Sequence, residues 1–238
     1  MKLDLLAFGA HADDIELSCS GTLLKHISLG KKSGIVDLTR GELGTRGTPA
    51  IREQEAQAAA HIMGINIREN LGMRDGFFSN DEVSQLQVIR MIRKYQPEIV
   101  LANAIRDRHP DHGRAAQLIE DAVFYSGLRM IKTVEEDHEQ DPWRPRVVYN
   151  YIQDEWITPD VLIDISPFMD KKLEAIRAFQ SQFFDSKSIE PETYISGANF
   201  LDTIMFRAQE LGKMIGVKYA EGFTTRRKTS VEHLFLLK

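Results

Sequence analysis

The sequence predicts an α/β fold: a Rossmann-like, mostly parallel sheet with helices on both faces, in three α/β/α layers. Short apolar runs of strand length alternate with amphipathic stretches of helix length through the first 130 residues. This alternation indicates a parallel sheet, because parallel neighbours must be joined by a long crossover that is usually helical. A chain of 238 residues suffices for one such sheet, so we expect a single domain over residues 1–238.

The first half of the chain alternates most regularly. The apolar run Leu3–Phe8 predicts the first strand, and Ile15–Leu29 predicts a helix that Gly30 ends. Gly34–Thr39 predicts the second strand, which a glycine-rich loop at residues 40–47 follows. The next expected elements are a helix capped by Thr48 and running from Pro49 to about Met63, a strand beginning at Ile65–Ile67, a helix opened by a capping box at Ser79–Glu82, a strand at Glu98–Ala102 and a helix from His112 to about Gly127.

Beyond residue 130 the pattern is weaker. Residues 132–146 are polar with two prolines and are typical of a surface loop. The expected elements of this half are strands at Arg146–Ile152, Val161–Ile165 and His233–Leu237, and helices at about 167–184 and 198–215. In the common doubly wound order the first and fourth strands are neighbours, and ligands bind beyond their carboxyl ends.

Composition excludes several classes of partner. The net charge is −5 and no run of Lys or Arg stands out, so we expect no nucleic-acid partner. No apolar stretch approaches the roughly 20 residues of a membrane span, and the N-terminus lacks the features of a signal peptide. The single cysteine, Cys19, excludes an internal disulfide framework and is expected to pack in the core. A cytoplasmic protein is the simplest interpretation.

Two His/Asp clusters follow the first and fourth predicted strands. They are His11-Ala-Asp13-Asp14 and His109-Pro-Asp111-His112. If the two strands are neighbours, the clusters face each other across one crevice. His11 and Asp14 at spacing i, i+3, joined by His112, would make three protein ligands of a zinc site with an open fourth position. Fe(II) or Co(II) could also fit this mixed nitrogen and oxygen set.

The remaining members of the clusters suggest acid–base chemistry. Asp13 cannot point the same way as Asp14, so it is free to act as general base on a metal-activated water. His109 precedes His112 by about one helical turn and, as an imidazolium, could stabilise an oxyanion and protonate a leaving nitrogen. Asp111 could hold His109 in its protonated form. The simpler interpretations are that Asp13 or Asp14 only caps a helix and that His109 is a solvated turn residue.

Candidate substrate-binding residues lie around the same predicted edge. Arg46, Arg52 and Arg108 are near the expected mouth, and arginine binds carboxylates through a bidentate fork. Glu42 in the glycine-rich loop could bind sugar hydroxyls or be solvated. Arg106 is more simply a surface ion pair. The aromatic residues expected to pack a helix or an oligomer contact are Phe179, Phe183 and Phe184, and those expected to be packing residues are Tyr219 and Phe223.

The two clusters resemble the motifs of a known family. Ala10–Asp14 resembles the A-H-P-D-D motif of the PIG-L/LmbE-like zinc N-deacetylases, with Ala12 in place of proline, and His109–His112 resembles their H-P-D-H motif. The resemblance is greatest to the branch that deacetylates N-acetylglucosaminyl malate in bacillithiol biosynthesis. Segments that carry this likeness are Asp37–Thr45, Arg106–His112, Ser181–Phe183 and Tyr219–Phe223.

The resemblance implies a function and a site. It implies that His11, Asp14 and His112 bind one Zn²⁺ per subunit, with Asp13 as base and His109 as acid. It places Arg52 and Arg108 at the site, which would suit a sugar conjugate with a carboxylate aglycone. It also implies a homo-oligomer, a trimer or hexamer.

We therefore expect a zinc-dependent hydrolase that removes the N-acetyl group from an N-acetylglucosamine conjugate, N-acetylglucosaminyl malate being the favoured substrate. The alternatives are a deacetylase of another N-acetyl sugar and a metal-dependent phosphoesterase, which would bind two metal ions where the deacetylase binds one. A sugar- or metal-binding module without activity is a third interpretation, but a pure binder would need neither Asp13 nor His109.

Overall fold

A seven-stranded sheet forms the centre of the protein. The computed structural model describes residues 1–183 and 188–236. The strands of the sheet are β1 (Leu5–Gly9), β2 (Ser33–Thr39), β3 (Ile67–Met73), β4 (Ile99–Ala102), β7 (Val147–Tyr151), β8 (Val161–Asp164) and β9 (Ala220–Thr224). Their spatial order is β3-β2-β1-β4-β7-β9-β8, and only the pairs that involve β9 are antiparallel. The expected mostly parallel sheet is confirmed.

Helices cover both faces of this sheet. They are α1 (Asp14–Ser18), α2 (Ser20–Ser28), α3 (Pro49–Met63), α4 (Glu82–Tyr95), α5 (Pro110–Ser126), α6 (Met169–Arg177) and α7 (Phe200–Met214). One apolar core packs α4 and α5 against the sheet, and a second core packs α1, α2, α3 and α6 against its other face. The three-layer architecture is therefore confirmed. Among the described residues no helix is long and apolar enough to span a bilayer.

β1 is the strand at which the sheet reverses its winding. It pairs in parallel with β2 on one side and with β4 on the other, where Leu5, Leu6 and Ala7 face Ile99, Val100 and Leu101. The chain segments that follow β1 and β4 therefore leave the same edge of the sheet side by side. This is the neighbourhood that the sequence predicted for the two His/Asp clusters.

Helix boundaries in the first half agree with the sequence, with two local corrections. Thr48 caps α3 as expected, accepting the N–H of Ile51. The helix expected over Ile15–Leu29 is instead divided into α1 and α2, because Cys19 has φ −139° and interrupts the helical backbone. The capping box expected from Ser79 is also wrong: Asp81 is the N-cap, and its carboxylate accepts the N–H of Ser84.

The second half contains the larger differences. The strand expected at His233–Leu237 is wrong: Leu234–Leu236 is an exposed 3-10 turn, and Leu237 lies outside the described residues. The last strand is β9, whose short Ala-Glu-Gly-Phe-Thr sequence lacks the alternation typical of a strand. The loop expected at residues 132–146 carries a small hairpin of β5 (Val134–Glu135) and β6 (His138–Glu139).

The aromatic residues near α6 pack inside the protein. Phe179 and Phe183 are buried in the core formed with α7, which agrees with the helix-packing interpretation of these side chains. Phe184 lies outside the described residues. Cys19 and Phe223 are buried in the core against the sheet, as expected, and Tyr219 is partly buried.

A buried charge pair links strand β9 to three helices. Glu221 accepts the N–H groups of Gly21 and Thr22 at 2.9 and 2.7 Å, so its carboxylate caps the first turn of α2. Lys172 of α6 donates to the same carboxylate at 2.7 Å and to the carbonyl of Leu17 at 2.9 Å. Both charged side chains are almost wholly buried, so the pair joins α1, α2, α6 and β9.

Replacement of Lys172 by methionine tests the importance of this pair. The variant leaves the Glu221 carboxylate buried without its cation, and breaking a buried pair in this way costs about 3 kcal/mol or more. We expect urea denaturation to show that loss in the free energy of unfolding. Lys171→Met, at the exposed neighbouring position, is the matched control. A Lys172→Met loss no larger than the control's would contradict the assignment.

Candidate metal centre

A cavity of about 470 Å³ opens beyond the carboxyl ends of β1 and β4. Both His/Asp clusters reach it, because their strands are neighbours. Eight residues named from the sequence line it: His11, Asp13, Asp14, Arg46, Arg52, Arg108, His109 and His112. Two others, Glu42 and Asp111, are not part of its lining.

Asp14 is the centre of the two clusters. It is the first residue of α1, and the N–H of His11 donates to its Oδ2 at 3.0 Å, which closes the turn after β1. Its Oδ1 lies 3.1 Å from Nε2 of His112, and its Oδ2 lies 3.7 Å from Nδ1 of His11. One carboxylate therefore faces one ring nitrogen from each cluster across the β1–β4 boundary.

The outer nitrogens of the two imidazoles bond to further carboxylates. Nδ1 of His112 lies 2.5 Å from Oδ2 of Asp107, and Nε2 of His11 lies 3.1 Å from Oδ1 of Asp75. A carboxylate at the outer nitrogen fixes the tautomer and the orientation of a ligand histidine and makes its inner nitrogen more basic. Both histidines are thus set to present their inner nitrogens beside Asp14.

Two amide side chains hold the Asp14 carboxylate in place. Asn103 donates to its Oδ2 at 2.9 Å and Gln153 donates to its Oδ1 at 3.2 Å. Asn103 directly follows β4 and also accepts the N–H of Ala10, so it ties the turn after β1 to the next strand. Each amide comes from a segment just beyond a strand's carboxyl end.

Arg68 also fixes the turn after β1. Its guanidinium makes five hydrogen bonds: to both oxygens of Asp37, to Glu16, and to the carbonyls of Ala12 and Ala56. Ala12 lies between His11 and Asp13, so the clamp holds the backbone that carries the first cluster. Burial raises the pKa of Glu16 to about 7, although Arg68 opposes this shift.

The charges of the cluster are strongly coupled. Burial disfavours the charged form of every member. Hydrogen bonds to Asp111, Asp14 and Asp75 nevertheless hold the pKa of His11 well above its ordinary value. Burial also opposes charging of His112, but Asp14 and Asp107 raise its pKa to about 9. In the same way the two imidazoles overcome burial and hold the pKa of Asp14 well below its usual range.

Asp13 and His109 stand beside this cluster without being part of it. Asp13 is buried, with Oδ1 3.9 Å from Nη2 of Arg52. Arg52 also donates to the carbonyl of Gly41, where φ is +62° and an added Cβ would lie 1.8 Å from the guanidinium, so only glycine fits. The ring of His109 lies 4.7 Å from the ring of His11, between their centroids.

The environment of His109 differs from the expectation. Its Nδ1 accepts the backbone N–H of Asp111 at 3.2 Å, so the neutral ring carries its proton on Nε2. Burial, and then the charges of His11 and His112, lower the pKa of His109. In the protein without metal His109 is thus favoured as a neutral donor, whereas the sequence suggested an imidazolium.

Asp111 and Glu42 do not line the cavity, although Oδ2 of Asp111 lies 3.5 Å from Nε2 of His11. The Asp111 carboxylate accepts from the N–H of Gly76 at 2.9 Å and from Arg114 at 2.5 Å, so the expected contact with the His109 ring is made by the Asp111 backbone instead. Glu42 accepts the backbone N–H of Asp75 at 2.8 Å. It thereby holds the loop that carries Asp75, and it does not line the cavity.

The arginines have distinct surroundings. Arg46 is buried, donates to Ser188 at 2.8 Å and lies 3.5 Å from Glu190. Arg108 is half-exposed at the mouth, where it pairs with Asp154. Arg106 forms an exposed pair with Glu155, as the surface interpretation expected.

Five residues that shape the site were not predicted from the sequence: Asp75, Asn103, Asp107, Gln153 and Arg207. A usable signal existed for three of them. Asn103 and Gln153 follow the carboxyl ends of β4 and β7, and Asp75 follows β3, so each lies at the ligand-binding edge of the sheet. Arg207 lies on α7, which no strand boundary points to.

The donor set suits a divalent metal ion. His11, His109 and His112 form one group whose ligand atoms lie within 4.8 Å of one another, and His11, Asp75 and Asp111 form another. The second group is the weaker candidate, since Arg114 already neutralises Asp111. We favour the set predicted from the sequence, His11, Asp14 and His112, because the Asp14 carboxylate faces both imidazoles.

The chain resembles proteins of known families. Residues 6–123, which contain both clusters, match the family described as PIG-L: GlcNAc-PI de-N-acetylase. A diacetylchitobiose deacetylase of Thermococcus kodakarensis is 29% identical over 228 residues, covering 92% of this chain and 81% of that protein. The probable N-acetyl-alpha-D-glucosaminyl L-malate deacetylase 2 of Bacillus anthracis is 26% identical over 189 residues, covering 73% and 78%.

Two further proteins are similar to this chain, one of them named for a different reaction. The 4-oxalmesaconate hydratase of Pseudomonas putida is 28% identical over 190 residues, covering 74% of this chain and 73% of that protein. The crystal structure of a conserved protein from Thermus thermophilus superposes with a TM-score of 0.86 at 34% identity, covering 98% of each chain.

Single substitutions of the three favoured ligands test the metal assignment. His11→Ala, Asp14→Ala and His112→Ala each remove one of three protein donors, so each should lose bound zinc on dialysis while wild type retains about one equivalent. Metal content is measured by mass spectrometry, with folding checked by circular dichroism. His61→Ala, at an exposed position of α3, is the matched control. Full zinc occupancy in all three ligand variants would refute the assignment.

Proposed function

The chain belongs to the PIG-L family of de-N-acetylases and is a metal-dependent N-deacetylase, and from this premise we propose that it removes the acetyl group from an N-acetylglucosamine conjugate. The observation that carries this proposal is the pairing of Asp13 and His109 beside the His11, Asp14 and His112 cluster in one cavity. A binding site alone would need the ligands without a buried base and a donor next to them.

We assign the metal to His11, Asp14 and His112. The set of two imidazoles and one carboxylate supports Zn²⁺, one per subunit, while Fe²⁺ or Co²⁺ would also be accepted by these donors. Such an ion, when bound, polarises the amide carbonyl and lowers the pKa of a water molecule. Asn103 and Gln153 keep the Asp14 carboxylate turned towards both histidines.

Asp13 is the proposed general base. Its carboxylate is buried at the cavity wall, with Oδ1 3.9 Å from Nη2 of Arg52. A carboxylate at this position can accept a proton from the water that attacks the acetyl carbonyl. Because Asp13 makes none of the contacts that fix Asp14, the two neighbouring aspartates can serve separate roles.

His109 is the proposed donor to the reacting amide. Since Nδ1 accepts the N–H of Asp111, Nε2 carries a proton that can stabilise charge on the carbonyl oxygen. The proton that Asp13 takes from the water passes from Asp13 to the departing nitrogen, which restores the base, while His109 keeps its Nε2 proton and donates it as a hydrogen bond. Asp111 supports this role through its backbone, since its carboxylate has other partners.

The proposed substrate carries a carboxylate on its aglycone. Arg52 and Arg108 line the same cavity in a protein of net negative charge, and the relative from Bacillus anthracis is named for a malate conjugate. We therefore propose N-acetylglucosaminyl malate and a place in bacillithiol biosynthesis. We further propose that Arg46, which lines the cavity, helps to bind the sugar of the substrate. The enzyme is also proposed to be a cytoplasmic homo-oligomer, a trimer or hexamer.

Deacetylation of a neutral sugar is the second candidate, because the relative from Thermococcus kodakarensis is named for diacetylchitobiose. An amine-release assay over a panel of N-acetylglucosaminides, some with a carboxylate aglycone, decides between the two. Release of amine from none of them would contradict the proposed activity and would favour the chemistry of the hydratase relative.

The roles of Asp13 and His109 predict losses of rate with metal retained. Asp13→Asn cannot accept the proton of water, so kcat should fall by about 10²–10⁴-fold. His109→Ala should lose a comparable factor. Both variants should keep wild-type zinc content, which separates these residues from the ligands. Near wild-type turnover in Asp13→Asn would show that another group is the base.

The proposed aglycone predicts a change of preference in Arg108→Ala. Wild type should favour the malate conjugate over the neutral methyl glycoside, since a charge-assisted contact is worth about 1.5–3 kcal/mol, or roughly 10- to 150-fold in kcat/KM. Arg108→Ala should lower kcat/KM mainly for the malate conjugate, and Arg108→Lys should restore part of the preference. Equal losses on both substrates would mean that Arg108 does not bind the aglycone.

A further inference from the structure

We propose that Arg108 and Arg207 form one carboxylate-binding subsite at the mouth of the cavity, and that Asp154 fills it as an internal counter-ion which a substrate carboxylate displaces. The inference rests on the proposed function and extends it, because it adds Arg207 to the proposed carboxylate-binding arginines and names a residue that sets the preference for charged substrates. All three residues line the same cavity as the side chains of the two His/Asp clusters.

The three side chains meet at the Asp154 carboxylate. Nε of Arg108 lies 3.3 Å from Oδ2, and Nη2 of Arg207 lies 3.4 Å from Oδ1. The hydroxyl of Tyr194 donates to Oδ1 at 3.0 Å, while its ring packs against the Arg108 guanidinium, 4.2 Å from the ring centroid. Two arginines from distant parts of the chain therefore contact the same carboxylate.

The charges of this group do not balance. Two guanidinium groups share one carboxylate, and within residues 1–183 and 188–236 no other carboxylate forms a salt bridge with either arginine. Two acidic groups of the neighbouring segments are already engaged: Glu155 pairs with the exposed Arg106, and Asp107 bonds to His112. About one unit of positive charge is thus left at the mouth, which favours an anionic ligand group.

The Asp154 side chain can leave without disturbing its backbone. Its two contacts with the arginines are longer than the 2.7–2.9 Å typical of tight charge-assisted bonds, so little attraction is lost on displacement. Its main chain is held independently of the arginines by Asp107, which accepts the N–H of Asp154 at 3.0 Å and the N–H of Glu155 at 2.6 Å. An incoming carboxylate can take over the arginines while the loop keeps its position beside the metal ligand His112.

A planar carboxylate is the ligand class that this geometry selects. Guanidinium groups bind carboxylates through paired N–H donors, and the group already in place has the same chemistry. A charged substrate must compete with the Asp154 carboxylate for the two arginines, which weakens its binding. In the free enzyme the same carboxylate partly neutralises the two guanidinium groups. Asp154 therefore sets how strongly the enzyme distinguishes carboxylated from neutral aglycones.

The test compares kcat/KM for a carboxylated and a neutral N-acetylglucosaminide in Asp154→Asn. Asparagine keeps the size of the side chain and an acceptor for Tyr194 but removes the competing charge. The ratio of carboxylated to neutral substrate should rise about three- to fivefold, the upper part of the range for partly exposed ion pairs. Arg207→Ala should lower the same ratio. Glu155→Gln, which removes a neighbouring carboxylate outside the cavity, is the matched control and should leave the ratio within about twofold of wild type.

An unchanged or lower ratio in Asp154→Asn would overturn the proposal, as would an equal rise in Glu155→Gln. Calorimetric titration of the zinc-loaded protein with succinate separates this inference from the proposed function. Succinate should bind more tightly to Asp154→Asn and more weakly to Arg207→Ala, even if neither glucosaminide releases amine. Equal succinate affinity in all three proteins would show that the carboxylate binds elsewhere, for example at the metal alone, and would also overturn it.

Discussion

The parallel pairing of β1 with β4 is the constraint on which the site depends. It brings His11 and Asp14, which follow β1, next to His112, which lies almost 100 residues further along the chain. In the proposed ligand set the first cluster supplies two side chains and the second supplies one, so the metal would be held by both clusters together. The contacts of Asp14 with both histidines exist only because two strands end at the same edge of one sheet. The apolar core that fixes this pairing therefore also fixes the chemistry.

A buried site of this kind must compensate many charges. The acidic side chains around the histidines each have a defined partner: Asn103 and Gln153 for Asp14, and an imidazole for Asp107. Such contacts offset the cost of removing charges from water and hold the side chains in one geometry before substrate arrives. The clamp made by Arg68 extends the same principle to the backbone beneath the first cluster. At the mouth of the cavity Asp154 partly neutralises Arg108 and Arg207. There the contact has to be reversible, because the proposed substrate carboxylate displaces it.

Periodicity and short motifs in the sequence were sufficient to predict part of the sheet and part of the site. The apolar runs predicted β1, β2, β4, β7 and β8, and the clusters predicted which side chains share the cavity. The sequence was insufficient where long-range packing decides the outcome. β9 has no alternating pattern because Glu221 is buried to cap α2, and the Asp111 carboxylate is drawn away from His109 by Arg114 and the N–H of Gly76. Those contacts depend on partners that no local pattern specifies.

An anomalous diffraction map, recorded at the zinc edge from crystals of the zinc-loaded protein, would locate the metal. We expect one peak per chain, at about 2.0–2.2 Å from Nδ1 of His11, a carboxylate oxygen of Asp14 and Nε2 of His112. Asp75 and Asp107 should remain bonded to the outer nitrogens of the two rings. A peak bound instead by Nε2 of His11 with Asp75 and Asp111 would refute the proposed site, because His112 and Asp14 would then have no part in holding the metal.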